Sequence, residues 1–384
     1  MTDLQDAAEV LPQNASSRGH ITKGAALSLL GRVALYNEKW DDAIAAYKQV
    51  QGLGYSLDPS YAKLFTQSGE TSPEIIFAVR YEGPGMSEGA AFNAHWNTPL
   101  EAMNGTIDLA DAYYCKDGKP TTDTKIAELN NEGGLDVSKP NPAHFENRDP
   151  RLYSTLFVPG MLWNGKGGID TSASNPYVNV YGGAAASLST IYVYKYFDPT
   201  DTSNSWDNGQ DFYVVRYAEV LLSLAEAMVQ KGGYAYSDVT ALVNEVRQRA
   251  DVNMPTVEEV EGTSLSKDEL LEVIKHERRV ELAFEGLRLF DLYRWKELDK
   301  AVANIENERT MYGLAYEARK FNGERDYVWP LQLPNWILTR NWFSTTCGSN
   351  VECRFHHRIH GLSQRSRRQT TFKSKNCVNL RNLW

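Results

Sequence analysis

The stretch Lys275–Glu297, KHERRVELAFEGLRLFDLYRWKE, decides the fold of this 384-residue chain. Four apolar residues, one of them just before the stretch, recur at intervals of seven, four and three positions, which is the spacing of a helix with one buried face. These residues are Val273, Val280, Phe284 and Leu287. Gly286 interrupts the pattern, as a glycine does where a helix ends or bends sharply. An aromatic-rich segment with Phe290, Tyr293 and Trp295 follows, so the stretch predicts two consecutive helices.

Charged residues fill the positions between the apolar ones. Glu277, Glu281 and Glu285 are four residues apart, so on a helix they share a face and repel one another unless arginines intervene. We therefore predict an ion-paired joint that holds the two helices at a fixed angle. Stacked carboxylates could also serve as general acid and base, and that alternative stays open. A zinc-protease motif is excluded, because it requires a histidine where the chain has Val280.

The composition of the chain limits the functions that it can have. Hydrophobic content of 42% and charged content of 23% are ordinary for a globular protein. The net charge of −9 argues against nucleic acid as a partner. No apolar run is long enough for a transmembrane helix, which needs about 18 residues. The 21 Tyr, 13 Phe and 9 Trp suit either carbohydrate stacking or a well-filled helical core.

Helical segments flank both sides of a long irregular region. Residues 21–51 predict a helical hairpin that turns at Asn37–Lys39, with small residues at the spacings of a tetratricopeptide repeat. EIIFAVR, 74–80, predicts a short strand. Tyr213–Lys231 and Asp238–Arg249 predict two further helices, and Ser266 with Glu269 predicts a capping box before the opening stretch.

Residues 83–209 are dense in Gly, Pro, Asn, Ser and Asp, and we predict that they are mostly loop. So long an insertion in a helical protein usually carries function. Within it, Asn147–Leu152 forms a turn-and-cap pattern, in which Asp149 caps, Pro150 takes the first helical position and Arg151 pairs back. The chain has no GxxxxGK[ST] or CxxC motif, and we predict no cofactor and no catalytic residue.

The final segment, 333–384, differs in composition. It is strongly basic and holds three of the four cysteines. Its cluster of Cys347, Cys353, His356, His357 and His360 suggests zinc, although the spacing is unusual. A nucleic-acid-binding arm is the other functional interpretation.

Several segments together resemble the SusD/RagB-like outer-membrane glycan-binding lipoproteins of Bacteroidetes. They are KGAALSLLGRVALYNEKWDDAIAAYKQV, PEIIFAV, RDPRL, VVRYAEVLLSLAEAM, LVNEVRQRA, ERRVELAFEGLRLFDLYRWKEL and VWPL, in this order between residues 21 and 331. The resemblance implies a mainly α fold of tetratricopeptide-like helix pairs carrying a large irregular loop lobe. It assigns 1–332 to the family domain, with the helical scaffold at 1–82 and 210–332 and the loop lobe at 83–209.

The resemblance also implies a function. Such proteins are held on the outer leaflet of the outer membrane by a lipidated cysteine, capture oligosaccharides, and cover a TonB-dependent transporter of the SusC type. They are not enzymes.

Both ends depart from the family pattern. The family's signal peptide, lipid-bearing cysteine and first helices have no counterpart here, so we expect a chain that begins late. Family members end with a run like AELDPDPKLVQNP, whereas Leu333–Phe343 reads LPNWILTRNWF. One codon choice for that run, read two bases later, gives AELDPDPKLV. We therefore expect a frameshift near Gln332 and a basic tail, 333–384, that is out of frame or disordered.

The loop lobe contains the candidate sugar site. Sugar rings stack their C–H faces on Trp and Tyr, while Asn and Asp bond the hydroxyls. The candidate ligand-binding residues are Trp96, Asn97, Trp163, Asn164, Tyr177, Tyr181, Trp206 and Asn208, supported by Asn93, Asn179 and Asp207. Each aromatic residue could instead pack only its own loop. Asp198, Asp201, Asp207 and Asn208 could offer oxygen ligands to calcium, although their spacing matches no EF-hand.

Two rival functions remain. A helical-repeat adaptor for peptides would show repeats at regular spacing through 83–209. A glycoside hydrolase would use paired carboxylates such as Glu281 and Glu285.

Overall fold

A computed structural model shows that the chain is mainly helical in the ranges that it describes, which are 1–15, 17, 19–83, 85, 105–121, 142–158, 161, 191–198, 207–307 and 321–327. Residues 1–323 form one compact unit. Beyond it the structure describes only 324–327, the end of a short 3-10 turn at Gly323–Tyr327.

The described α-helices are α1 Thr2–Val10, α2 Lys23–Tyr36, α3 Trp40–Gln51, α4 Tyr61–Leu64, α5 Ile107–Ala112, α6 Arg151–Thr155, α7 Tyr217–Lys231, α8 Tyr236–Arg247, α9 Val257–Val260, α10 Lys267–Glu281, α11 Arg288–Trp295 and α12 Leu298–Asn307. The described strands are β1 Ile75–Val79, β2 Leu156–Phe157, β3 Tyr192–Val193 and β4 Phe212–Arg216. Two more 3-10 turns cover Gln67–Gly69 and Pro142–Phe145.

The predicted hairpin is confirmed as α2 and α3. Thr22 caps α2, since its hydroxyl accepts from the Ala25 backbone N–H. Gly31 lets the two helices pack closely, because a Cβ there would lie 2.5 Å from the Tyr47 ring. Helix α7 packs on α3, α8 and α10 and is buried along most of its length. These paired helices bury one large core and confirm the mainly α, tetratricopeptide-like fold class.

The predicted helix at Tyr213–Lys231 is wrong over its first four residues. Tyr213–Arg216 belong to β4, which pairs antiparallel with β1. Tyr213 and Val215 are buried, so the segment has the alternating burial of a strand before helix α7 begins. The predicted β1 strand is confirmed.

The opening stretch forms the predicted ion-paired joint, with a different boundary. Ser266 and Glu269 form the expected capping box, but α10 ends at Glu281 rather than at the glycine. Phe284 and Gly286 both have positive φ, so the chain reverses over 282–287 before α11 begins. Arg278 on α10 and Asp291 on α11 then clamp the two helices through two contacts of 3.1 Å.

The described parts of 83–209 are not only loop. They include α5, α6 and the short β2–β3 pair, which pack in a second core cluster with Val280 of α10. Arg151 pairs back to Asp149 as predicted, at 2.7 Å. Pro150 precedes the first helical residue instead of occupying that position.

Candidate functional site

The loop lobe leaves and re-enters the scaffold at one place. Val79 at the end of β1 lies opposite Phe212 at the start of β4. The chain after β1 therefore runs beside the chain that leads into β4. Asp211 accepts a hydrogen bond from the Tyr81 backbone N–H through Oδ1 at 3.0 Å. The two ends of the long insertion are thus held together at the edge of this small sheet.

A second hydrogen bond holds the same two segments together. The Gly85 backbone N–H donates to Asp207 Oδ2 at 2.6 Å. Gly83 packs directly against the backbone here, since a Cβ on it would lie 2.2 Å from the Asp207 carbonyl oxygen. Only glycine fits such an approach without a shift of the backbone. We call these contacts of Tyr81, Gly83, Gly85, Asp207 and Asp211 the loop base.

The predicted ligand-binding residues fall mostly outside the described ranges. Those outside are Trp96, Asn97, Trp163, Asn164, Tyr177, Tyr181 and Trp206, together with the supporting Asn93 and Asn179. Asn208 is described and fully buried, and its Oδ1 accepts from the Gln210 backbone N–H at 2.7 Å. In this structure Asn208 shapes the turn next to the loop base, and a contact with ligand stays a prediction.

The calcium hypothesis gains no support from the described carboxylates. Asp198 Oδ2 accepts from the Gln67 backbone N–H at 3.2 Å, and Asp207 is part of the loop base. Asp201 lies outside the described residues. In the ranges that the structure describes, no three His, Cys, Asp or Glu side chains come together as metal ligands would. The Cys/His cluster at 347–360 lies outside those ranges.

Where described segments of the loop lobe meet the helical scaffold, the structure holds a network of buried charges, which we call the buried ion network. It joins five carboxylates to five cations within the core. Its members are Glu74, Asp149, Glu277, Glu281, Glu285, Arg151, Lys195, Arg216, Arg247 and Arg249. Charges inside a protein are stable only when they are paired and hydrogen-bonded, and this network meets both requirements.

Glu281 lies at the centre of this network. Its carboxylate contacts Arg216 at 2.6 Å and both Arg151 and Arg249 at 2.8 Å. Burial alone would raise the pKa of Glu281, but the three guanidinium groups outweigh it and hold that pKa far below the ordinary range. Glu281 is therefore a permanent anion that bridges three parts of the chain.

The network also fixes the loop lobe to the scaffold. Arg151 of α6 reaches Glu277 of α10 at 2.6 Å. Lys195, after β3, donates to Glu285 at 2.6 Å and to the carbonyl oxygens of Glu281 and Ala283 at 3.0 Å each. Burial lowers the pKa of Lys195 to about 8, and Glu285 only partly offsets this effect. Two separate segments of the lobe thus dock on the end of α10 and on the turn that follows it.

These contacts argue against the paired-carboxylate mechanism. Glu281 is inaccessible to solvent and Glu285 is 8% exposed, and each is neutralised by cations. Burial would raise the pKa of Glu285, but Arg216 and Lys195 lower it. A general acid needs a raised pKa and access to substrate, and neither residue has these properties.

Sequence reasoning identified Glu277, Glu281 and Glu285 but missed most of their partners. The apolar spacing places Arg216 in the predicted helix at Tyr213–Lys231, and no motif includes Lys195. One signal was available for Lys195, which is a single charge within an aromatic run, YVYKYF. Arg249 and Glu74 gave no comparable signal, because both lie at the ends of ordinary elements.

The fold and these contacts define a class of protein, a tetratricopeptide-like helical scaffold whose buried charges anchor an inserted loop lobe. Residues 73–332 match the SusD family model, which covers more than half of the chain, and the chain belongs to the SusD/RagB family. It is 24% identical over 355 residues to SusD-like protein P2 of Formosa agariphila, covering 89% of this chain and 62% of that protein. It is 42% identical to SusD-like protein P38 of the same organism over 82 residues, 21% of this chain and 16% of that protein.

Solved structures agree with this assignment. A crystal structure of a SusD-like carbohydrate binding protein from Bacteroides fragilis matches with a TM-score of 0.69 and 25% identity, covering 88% of this chain and 68% of that one. A laminarin binding SusD-like protein matches with a TM-score of 0.54 and 23% identity, covering 88% and 65%, and shows the fold alone. The chain spans about three-fifths of the length of SusD-like protein P2.

Proposed function

We propose that this chain belongs to a non-catalytic glycan-capture protein of the outer-membrane surface. One observation carries the proposal: the chain is a SusD family member that shares its fold and 25% identity with a structure described as carbohydrate binding. The captured oligosaccharide would pass to a TonB-dependent transporter of the SusC type. The full-length protein would be anchored by lipid to the outer leaflet.

The geometry of the loop base supports this proposal. The insertion begins and ends on one edge of the β1–β4 pair, so the segments that carry Trp96 and Trp206 start from adjacent points of a rigid scaffold. Binding residues on loops that a rigid scaffold positions are the common arrangement in proteins. We propose that the loop-lobe tryptophans stack on sugar rings while neighbouring amides bond the hydroxyls.

The two rival functions receive less support. An adaptor would continue the hairpin pattern of α2 and α3 through 83–209, but the described parts of that region contain short helices and a strand pair. A hydrolase would need accessible carboxylates, and the pair named for it is buried within the ion network.

Among the helices in the described ranges, none combines the length and the apolar character that a membrane span requires.

A glycan array tests the proposal. We expect the chain to bind at least one class of oligosaccharide, and Trp96→Ala, Trp163→Ala or Trp206→Ala to weaken that binding. Trp40→Ala is the matched control, because Trp40 lies in the scaffold at the start of α3. An array without any bound glycan would contradict the proposal, and so would release of reducing ends from the bound glycan. Binding of the purified full-length protein to its SusC-type transporter tests the delivery step separately.

A further inference from the structure

Helix α11 presents apolar side chains on two opposite faces. Its inner face packs on the scaffold, where Leu292 is buried and the Trp295 indole N–H donates to Glu226 at 2.8 Å. On its outer face, Leu289 and Phe290 are 42% and 46% exposed. Within the described ranges, they are the only large apolar residues that are both exposed and adjacent in the chain. A helix that is apolar on both faces is usually covered on both sides.

The outer face extends over both turns of α11. Tyr293 is half-buried and lies four residues after Leu289 and three after Phe290, so the three side chains form one stripe. Aromatic residues are enriched in the cores of protein interfaces, and a contiguous exposed apolar patch marks a contact surface. A single exposed residue such as Val10 on α1 has no such meaning. The stripe therefore has the composition of a docking surface.

A cation bounds the stripe at each end. Arg288 is the first residue of α11, and Lys296 follows its last residue. Within the part of the chain that the structure describes, neither of these side chains has a hydrogen bond or an ion pair. Asp291 within the helix and Glu297 just after it are already paired with cations of α10. Both ends of the stripe can therefore accept a carboxylate from outside.

The positive charge of Arg288 is not fully compensated within the chain. Its guanidinium lies 5.7 Å from the centroid of the Trp295 ring, which offers only a cation–π contact. Burial and the nearby Arg279 lower the pKa of Arg288 from 12.5 to about 10, and the surrounding carboxylates only partly offset this effect. A carboxylate of a partner would form a charge-assisted hydrogen bond at this position.

The inner contacts of α11 hold its outer face in place. Arg278 contacts both carboxylate oxygens of Asp291 at 3.1 Å. Arg294 Nη2 donates to Glu226 Oε2 at 2.6 Å, so the helix is also fixed to α7. The outer surface is therefore formed before a partner arrives, which lowers the ordering cost of binding.

The two cations decide between possible occupants. In a two-fold pairing of this face with a second copy, Arg288 would meet either the Arg288 or the Lys296 of that copy, and like charges oppose both arrangements. A net charge of −9 opposes an anionic membrane surface, since two cations add only about 1 kcal/mol each. A protein segment with apolar residues between two carboxylates has the complementary pattern. Arg288 and Lys296 are eight residues apart, which is about 12 Å along a helix.

We infer that the outer face of α11 is a docking surface for an acidic, apolar segment of a partner protein. The segment places apolar side chains on Leu289, Phe290 and Tyr293 and one carboxylate beside each flanking cation. This inference goes beyond the proposed function, because it requires no glycan and no residue of the loop lobe.

Fluorescence anisotropy with synthetic peptides tests the inference. The probe is a labelled helical peptide of about 15 residues, with leucines along one face and a glutamate at each end of that face, about 12 Å apart. The matched peptide has lysine in place of both glutamates. In the full chain, Phe290→Ser removes an apolar contact and Arg288→Gln removes one charge. Val10→Ser and Lys39→Gln are the matched controls, because both residues are exposed and lie outside α11.

We expect the glutamate peptide to bind the wild type at least about tenfold more tightly than the lysine peptide. Phe290→Ser should weaken that binding about tenfold or more, and Arg288→Gln should weaken it about fivefold. Each control should change the affinity by less than about twofold. Thermal melting confirms that every variant is folded.

Several results would overturn the inference. The glutamate peptide could fail to bind, both peptides could bind equally, or Phe290→Ser could bind the glutamate peptide like the wild type. Sedimentation of the wild type with vesicles that contain phosphatidylglycerol would instead identify a lipid surface as the occupant. Dimerisation of the wild type that Phe290→Ser abolishes would identify a second copy.

Discussion

Arg216 and Glu285 form a bidentate ion pair in the core, although they are 69 residues apart in the chain. Arg216 Nε and Nη2 donate to the two carboxylate oxygens at 2.7 Å each. The pair joins the last residue of β4 to the turn after α10. Parallel hydrogen bonds of this kind fix orientation as well as distance. Strand β4, which follows the loop base, is therefore held in a fixed position against the ion-paired joint between α10 and α11.

The central carboxylate of the network should be essential for stability. Glu281→Gln keeps the shape of the side chain but leaves Arg151, Arg216 and Arg249 with one negative charge too few. Removing one partner from a buried charge cluster costs about 3–5 kcal/mol, because the remaining charges stay desolvated. We expect a loss of that size in the free energy of unfolding, measured by denaturant titration.

Glu272→Gln is the control for that variant. Glu272 is on the same helix and its side chain is 68% exposed, with an ion pair to Lys275 at 2.8 Å. Exposed pairs contribute at most about 1 kcal/mol. Equal effects of the two substitutions would show that the buried network is not a special source of stability.

The half-buried His276, whose ring nitrogen Nδ1 is shielded from solvent, should make stability depend on pH in mildly acid solution. Burial lowers the pKa of His276 from 6.5 to about 4, and Glu277 only partly offsets this effect. Between these two values the unfolded chain binds the proton and the folded chain does not, so stability falls as the pH decreases. From pH 7.5 to pH 5 the loss should be about 2 kcal/mol.

Comparison with His276→Gln isolates this contribution. Stability measured by denaturant unfolding at a series of pH values should decline less steeply for the variant in the same window. The ion network lowers the pKa values of Glu277, Glu281 and Glu285, so these carboxylates contribute equally to both pH profiles and cancel in the comparison. Parallel pH profiles for the two proteins would contradict the assignment of a neutral imidazole at His276.

The close approach of α2 and α3 predicts the effect of a larger residue at Gly31. Gly31→Val should reduce stability by about 1–3 kcal/mol, since its side chain would overlap the Tyr47 ring. Gly52→Val serves as the control, because a Cβ at Gly52 meets only the Gln49 carbonyl oxygen at 3.4 Å. Thermal unfolding of both variants measures the difference. A Gly31 variant as stable as the Gly52 variant would show that the hairpin repacks freely.

The loop base should open when Gly83 acquires a side chain. Gly83→Ala places a methyl group against the Asp207 carbonyl and should break the bond from Gly85 to Asp207. We expect the Gly85 amide to exchange its hydrogen about tenfold faster or more, while amides of α7 keep their protection. Gly52→Ala is the matched substitution, and it should leave the Gly85 amide unchanged. Unchanged exchange in Gly83→Ala would mean that this contact does not hold the base.

Local patterns predicted much of the scaffold. The helical hairpin, the strand β1 and the capping box of Ser266 each depend on residues close together in the chain, and all three are confirmed. Errors occurred where distant residues decide the structure. Val214 continues the helical spacing of Tyr217, Leu221 and Leu224, but pairing with β1 draws Tyr213–Arg216 into a strand.

The buried ion network was the hardest part to predict. The charges of Glu277 and Glu281 are visible in one helix, yet their partners come from three other segments of the chain. A buried arginine and an exposed one have the same identity in a sequence, and only the fold distinguishes them.

Titration calorimetry of the chain with a glycan selected on the array tests the central claim most directly. Wild type, a triple variant with Trp96, Trp163 and Trp206 replaced by alanine, and the Trp40→Ala control would be compared. We predict saturable binding for the wild type and the control. The triple variant should bind the glycan at least about tenfold more weakly than the wild type, because aromatic stacking contributes most of the binding energy. Equal affinity in all three proteins would contradict a glycan site in the loop lobe.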